Sequence, residues 1–405
     1  MNSLFRDRRF HYLLVANTLS SIGTGMTMIA IPWLFVQKRG GETTFGIITT
    51  TLTVIMFLLT PTVGMWIDRV SRKTILLIGE ASGFIIVSLF ALIGTSGNEY
   101  YPWQLAVLFA SGSLYYFLFY PTMFAFTQEI FEREQYETVN GMTEIQGQLA
   151  TVVSGGLASV MVGKMPFHWL LWLDAYTYLV AFFCLSLISY RRTRQVTTTA
   201  SFWNKLTEGY RYMQKHPALF WFFLASFMPF IGVMMTNYLH PIYIADVLRE
   251  DSAVYGIQSM IYGIGAALAG ATVPFLIRRI GTATSVLLNV GIYALGVTMF
   301  LLWRETFLFY VSVVLTAFGN AGARVARSSL MMAVVPNDKI GRVDSLFRAL
   351  GFMIRFLLLS AFTGLVAKGH LLLPYAILSG LLFLAVWIVW KFVGVANKSN
   401  ISEAS

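Results

Sequence analysis

The sequence has little charge. Only 12% of its 405 residues are Asp, Glu, Lys or Arg, against 57% hydrophobic residues and a mean hydropathy of +0.67. A soluble domain carries roughly 25% charged residues, so this chain cannot cover a water-facing surface of its size. That excludes an ordinary globular protein and leaves lipid as the main solvent. Cysteine is nearly absent. The lone Cys184 excludes an intrachain disulfide framework and reads as a small packing residue. The five histidines are scattered without metal-ligand spacing, so neither a metal nor another cofactor is expected. No phosphate-binding loop of the G-x-x-x-x-G-K-[ST] type occurs, which leaves ATP drive unsupported. No nucleophile–base arrangement is found, and no enzymatic activity is expected.

Long apolar runs are present instead. A helix needs about 20 apolar residues to cross the hydrocarbon core. Twelve stretches qualify, at about 11–37, 43–67, 74–96, 103–128, 139–164, 167–190, 218–246, 253–277, 283–303, 306–332, 344–367 and 371–394. Their length and lack of strict alternation argue against barrel strands. The basic N-terminus leads into an apolar run too long for a signal-peptide core, so the first run reads as an uncleaved span. Twelve crossings place both termini on one side. With the termini inside, nineteen Lys and Arg residues fall on inner segments and six on outer loops, so the positive-inside bias predicts cytoplasmic termini. The net charge of +10 is therefore spread over orienting loops, and no nucleic-acid partner is expected.

The longest polar segment, about 191–217, separates six spans from six. It contains "SFWNKLTEGYRYMQKH", in which Phe202, Trp203, Leu206, Tyr210 and Met213 recur at helical spacing among charged residues. The pattern fits a helix lying in the membrane interface, and equally a solvated linker helix. The expected organisation is a first six-helix bundle over 1–190, a cytoplasmic linker over 191–217 and a second bundle with a short tail over 218–405. The halves carry traces of a repeat. Phe45-Gly46-Ile47 corresponds to Tyr255-Gly256-Ile257, Pro32 to Pro241, and "TVNGMTE" to "RVDSLFR", at offsets of 210, 209 and 204. Two parallel repeats around a midplane site are a transporter design.

The loop "VGMWIDRVSRKTILL" crowds charge between two apolar runs. Gly64, lacking a side chain, is expected to allow close helix contact. Arg69, Arg72 and Lys73 suit an anionic cytoplasmic interface. Asp68 contributes little to orientation and calls for a partner. The partner expected is the start of the eleventh span, where a helix N-terminus carries partial positive charge beside Arg342 and Arg348. Such a contact would latch the two halves on the cytoplasmic side and break when that side opens.

Gly64-x-x-x-Asp68-Arg69-x-x-Arg72-Lys73 resembles the signature loop of the major facilitator superfamily, with Ser71 where that pattern usually has Gly. The resemblance covers the whole chain and implies an all-α membrane fold of twelve helices in two pseudo-symmetric six-helix bundles. "AIPWLFV" in the first span and "FYPTMFAF" in the fourth resemble the macrolide-, siderophore- and drug-exporter branch. Two departures weigh against a standard drug/proton antiporter. "TVVSGG" keeps only Gly155-Gly156 of the fifth-span antiporter motif, and the fourth-span Arg of many proton-driven exporters is absent.

Ionisable residues inside spans are costly and are functional candidates by default. Arg355 lies near the midplane of the eleventh span. Arg324 and Arg327 lie in the tenth, which the resemblance places on the central cavity. Arg324, near Asn320, could hold an anionic group on a substrate, whereas Arg327 reads as snorkelling to the interface. Glu144 is a candidate carrier of a coupled proton, since burial raises a carboxylate's pKa; the alternative is a second latch to Arg278 or Arg279. Asp174 is a minor proton candidate. Glu80, outside the cavity in this fold, is expected to pair with Arg72 or Arg69 as part of the cytoplasmic gate. Asn17, Ser21, Thr24 and Met28 share one face of the first span, and Tyr116 and Tyr120 of the fourth are expected to line the same path, with Tyr115 adjacent. His240, beside Pro241, reads as interfacial.

These features predict a secondary active transporter. It would export a small amphipathic compound such as a drug or siderophore by alternating access, as a proton-coupled antiporter. It is expected to be a monomer in the cell (plasma) membrane, in contact with membrane lipid. One rival is a flippase or exporter of an anionic lipid-like metabolite. Another is a non-transporting membrane receptor or sensor, which would be expected to carry a signalling domain or long tail.

Overall fold

The computed structural model describes residues 4–97, 99–132, 135–190, 202–336 and 339–402, apart from the side chains of Phe5, Asp68, Glu137, Phe202 and residues 397–402. Its helices are α1 (Arg8–Val36), α2 (Gly41–Arg69), α3 (Arg72–Thr95), α4 (Pro102–Ile130), α5 (Tyr136–Met161), α6 (Phe167–Leu187), α7 (Phe202–Gln214), α8 (Pro217–Ser226), α9 (Met228–Ile242), α10 (Ser252–Ile280), α11 (Thr282–Leu302), α12 (Thr306–Val334), α13 (Ile340–Ala367) and α14 (Leu373–Ser402). In lipid every backbone N–H and C=O must be satisfied within the segment, which is why apolar runs of this length become helices. Eleven crossings among the described residues are long and apolar enough to span a membrane, with α8, α9 and the turn after them forming one. Helix α5 is absent from that set although its 26 residues reach about 39 Å at 1.5 Å per residue. Its first half is polar, holding Asn140, Thr143, Glu144, Gln146 and Gln148.

Helix starts follow local chemistry. Asp7 caps α1 by accepting from the Arg9 N–H at 2.8 Å and from the Arg9 guanidinium at 2.7 Å. The guanidinium hydrogen bond holds the Asp7 carboxyl below its ordinary value. Ser71 caps α3 by accepting from the Thr74 N–H at 3.3 Å.

The chain divides into two compact units. The first takes Met1–Ile48, Ile55–Thr198 and Glu250–Met260. In it α1 packs against α4, α5 and α6, and α3 packs against α4 and α6. Gly155 of α5 and Gly256 at the start of α10 meet here. A Cβ on Gly155 would lie 2.6 Å from the Met260 backbone nitrogen, and one on Gly256 would lie 2.5 Å from Ser159 Cα. Of the two glycines kept from the degraded fifth-span motif, Gly155 thus serves a close backbone approach, whereas a Cβ on Gly156 would meet only the Met260 side chain at 3.8 Å.

The second unit takes Thr49–Val54, Thr199–Arg249 and Ile261–Ser405. Its helices α11, α12 and α14 pack together, α8 leans on α14, and α7 lies against α13. Phe220, Phe223 and Phe227 gather around Phe347 of α13. The expected seventh span is not one continuous α-helix. It breaks at Phe227, ahead of Pro229, and ends in a π-helical turn over Tyr243–Leu248. Pro229 has no N–H to continue the ladder.

Candidate functional site

In the first unit the expected polar face of α1 splits in two. Asn17 donates to Gln146 of α5, and Ser21 donates to Asn17 Oδ1 at 3.4 Å. Tyr116 of α4 reaches the Ser21 carbonyl at 3.5 Å and stacks on Tyr120, with ring centroids 5.5 Å apart and planes 11° apart. Tyr120 is 62% exposed. Gln146 Nε2 is buried with no hydrogen-bond partner among the described residues. These five side chains form one amide, hydroxyl and aromatic patch on α1, α4 and α5.

Thr24 does not belong to that patch. It is buried and donates to the Tyr178 hydroxyl of α6 at 2.8 Å. One turn further, Thr27 donates to Asp174 Oδ2 at 2.6 Å. Glu80 corrects a second expectation. It accepts from the Tyr115 hydroxyl at 2.8 Å and from Ser20 at 3.3 Å, and Ser20 and Tyr115 are themselves 2.6 Å apart. Its partners are thus hydroxyls on α1 and α4, and the expected pair with Arg72 or Arg69 is not formed.

Arg72 instead faces Glu129 at the end of α4, 3.4 Å away, and donates to the Ala125 carbonyl at 2.6 Å. Tyr190 donates to the same Glu129, and burial raises that phenol. Lys73 donates to the Ser186 and Ile188 carbonyls at the end of α6, both at 2.7 Å. A cation there complements the negative end of the helix dipole. Both bases therefore bind the start of α3 to α4 and α6 within their own unit. Arg69 is the exposed last residue of α2. Gly64 is exposed, and a Cβ there would meet nothing within 4 Å, so it serves no close helix contact. The Asp68 side chain lies outside the described residues.

In the second unit Arg342 pairs with Glu208 of α7 at 2.5 Å, and Arg348 pairs with Asp344 at 2.6 Å. Gly209 sits against the Arg342 backbone, where a Cβ would collide with its carbonyl. The linker helix thus clasps the start of α13, while residues 191–201 lie outside the described residues. Arg278 is exposed in the last turn of α10, and Arg279 lies over the Phe275 ring at 4.6 Å. Glu144 is exposed and accepts from Gln148 at 3.1 Å, so the burial that motivated it as a proton carrier is missing.

Asn320 donates to the Tyr262 hydroxyl of α10 at 2.8 Å, and Arg324 is exposed one turn on. Arg355 is half-buried, and its Nε is buried with no partner among the described residues. Two residues expected at the interface, Arg327 and His240, are buried. Arg327 is buried, not snorkelling; it donates to the Ser226 carbonyl at the end of α8 at 2.9 Å and lies 3.6 Å over the Phe227 ring. Proline in the "SFMPF" stretch was the available signal of that break. His240 is buried, with Nδ1 3.1 Å from the Tyr375 hydroxyl and its ring against Phe300 and Phe309.

Among the described residues the chain is helical, with eleven apolar crossings and polar groups directed inside the helix packing, and it is a multi-pass membrane protein. Residues 13–356 match the family profile of the Major Facilitator Superfamily, and the chain belongs to that family. It is accordingly a transporter of small molecules. Solved structures share its fold. A variant of the nucleoside transporter NupG has a TM-score of 0.75 at 12% identity, covering 95% of this chain and 100% of its own. A bacterial homologue of the iron transporter ferroportin, inward-facing, has 0.72 at 16%, covering 95% and 98%. A D-xylose-proton symporter has 0.69 at 14%, covering 95% and 97%. A search of curated protein sequences found no match.

Proposed function

We propose that this secondary transporter exports a small amphipathic compound across the plasma membrane, driven by proton entry, and works as a monomer with cytoplasmic termini. The observation that carries the reading is the patch of Asn17, Ser21, Tyr116, Tyr120 and Gln146. A stacked tyrosine pair offers an aromatic platform, and Gln146 Nε2, unpartnered among the described residues, offers a donor in the same patch. A planar aromatic solute matches the platform, and one that also carries an acceptor oxygen would engage the Gln146 donor. The outward direction rests on the resemblance to the exporter branch. One neighbour's name pairs transport with protons, in keeping with proton drive.

The test uses inside-out vesicles from cells making the protein, energised by respiration, with ethidium and erythromycin as probes. Uptake that exceeds control vesicles and collapses with a protonophore is expected. Uptake equal to controls for a broad panel of such probes would defeat the export reading. An aromatic contact contributes about 0.5–1.5 kcal/mol beyond area burial. Tyr116→Ala and Tyr120→Ala should therefore each raise KM for ethidium by roughly two- to tenfold.

A second reading, export or flipping of an anionic lipid-like metabolite, is favoured by Arg355 and its unpartnered Nε. Movement of a fluorescent phosphatidylglycerol between leaflets of proteoliposomes separates the two.

A further inference from the structure

The first unit buries two acids without burying a base beside them. Glu80 is 0% exposed and Asp174 is 1% exposed. Among the described residues no Lys, Arg or His contacts either carboxyl group. Their surroundings can be named helix by helix. From α1 come only hydroxyls, Ser20 on Glu80 and Thr27 on Asp174. From α4 comes Tyr115, bonded to Glu80, with Tyr116 beside it at a ring distance of 5.6 Å. From α6 comes Tyr178, edge-on to Tyr115 at 5.2 Å. From α3 the only ionisable group at this depth is Glu80 itself.

Asp174 Oδ1 has no hydrogen-bond partner among the described residues. It points at Gly23 of α1, where a Cβ would come within 2.7 Å of it. An isolated buried carboxylate costs far more than hydroxyl partners return, so its charge must be removed or matched. What matches it must be small, because the backbone of α1 closes over the oxygen. Among the described residues no group of three or more His, Cys, Asp or Glu could hold a metal ion. A cavity of about 240 Å³ between α3 and α4 reaches Tyr115 and the Gly79–Gly83 face beside Glu80, with Ser82 and Ser111 in its wall.

We propose that Glu80 and Asp174 form a coupled proton-carrying pair inside the first bundle, loaded and unloaded through Tyr115 and Ser20. Loading takes a proton from a hydronium ion in the water beyond the hydroxyl pair, so that one O–H bond breaks there as one forms on a carboxylate, and neutralises one negative charge. Unloading breaks that bond and passes the proton to the hydroxyl pair and on to water, leaving the carboxylate solvated by the Tyr115 and Ser20 donors. The proton belongs to the pair and not to one residue. Its role in transport rests on the proton-driven reading given above; its presence does not.

The experiment is infrared difference spectroscopy of the full-length protein in lipid, in H₂O and D₂O, without substrate. A protonated-carboxyl band that shifts in D₂O is expected at neutral pH in the wild type. Glu80→Gln and Asp174→Asn should each remove or shift it, and Tyr115→Phe should slow its exchange with deuterium. Absence of the band in the wild type, or a band unchanged in both acid variants, would overturn the proposal. So would a band that vanishes on adding sodium, potassium, magnesium or calcium chloride, since a metal ion would then be the occupant. In ethidium-loaded vesicles, Glu80→Gln should lose pH-gradient-driven transport and retain ethidium exchange. If wild-type vesicles show no gradient-driven transport while the band behaves as described, the proton-driven reading fails and the pair stands.

Discussion

Replacing Arg327 with methionine tests what holds the broken seventh crossing together. In the wild type this side chain gives one charged hydrogen bond to the Ser226 carbonyl and covers the Phe227 ring. A hydrogen bond from a charged group contributes about 1.5–3 kcal/mol net, and an orphaned buried carbonyl costs about 1–3 kcal/mol. A desolvated cation–π contact adds about 2 kcal/mol. Against these stands the cost of keeping a guanidinium buried, which methionine removes. The terms overlap, and a net loss of about 2–4 kcal/mol is expected, a roughly 30- to 700-fold drop in the folded-to-unfolded ratio. The assay is equilibrium unfolding in mixed micelles followed by tryptophan fluorescence. Arg327→Lys should fall between wild type and methionine, because a lysine keeps the charge but loses the planar stack. A methionine variant as stable as the wild type would refute the idea that this arginine caps α8.

Three further outcomes are expected. Gly23→Ala places a methyl against Thr177 and Asp174, and overpacking of this kind costs about 1–3 kcal/mol; the same unfolding assay and the yield of monodisperse protein read it. Glu208→Ala breaks a pair whose side chains are 41% and 39% exposed, so stability should change by less than about 1 kcal/mol, while trypsin should cut the linker faster as the clasp on α13 loosens. Asp7→Asn keeps a capping side chain but removes a charge near the start of α1, for a loss of about 0.3–1 kcal/mol at neutral pH. The Asp7 carboxyl titrates below its ordinary value, so its contribution is complete above about pH 4 and disappears as pH falls through that lower value. The difference between the two proteins should close in acid.

The long crossings were legible because lipid forces apolar runs and internal backbone pairing together. Helix α5 was legible from its length and its neighbours, since its polar first half hides it from hydropathy alone. The break at Phe227 left one clue, Pro229, inside an otherwise uniform apolar run. Site residues fared less well for a common reason. Spacing says which side chains share a face, but not which other helix that face meets. Glu80 has bases eight and eleven positions earlier in sequence, Arg72 and Arg69, yet its partners come from α1 and α4. Asn17 and Thr24 share a stripe, yet α5 takes one and α6 the other. Glu144 looked deep by counting turns from the helix start and proved exposed.

The anchorage of α3 by Lys73 differs in kind from an ion pair. Its two acceptors are peptide oxygens at the C-terminal end of α6, and amide oxygens do not titrate in any range a cell survives. A carboxylate in that place would slacken its hold whenever the adjoining compartment turned acid. For a protein proposed to pass protons through the neighbouring helices, this mooring keeps the start of α3 tied to α6 whatever acidity its own turnover creates.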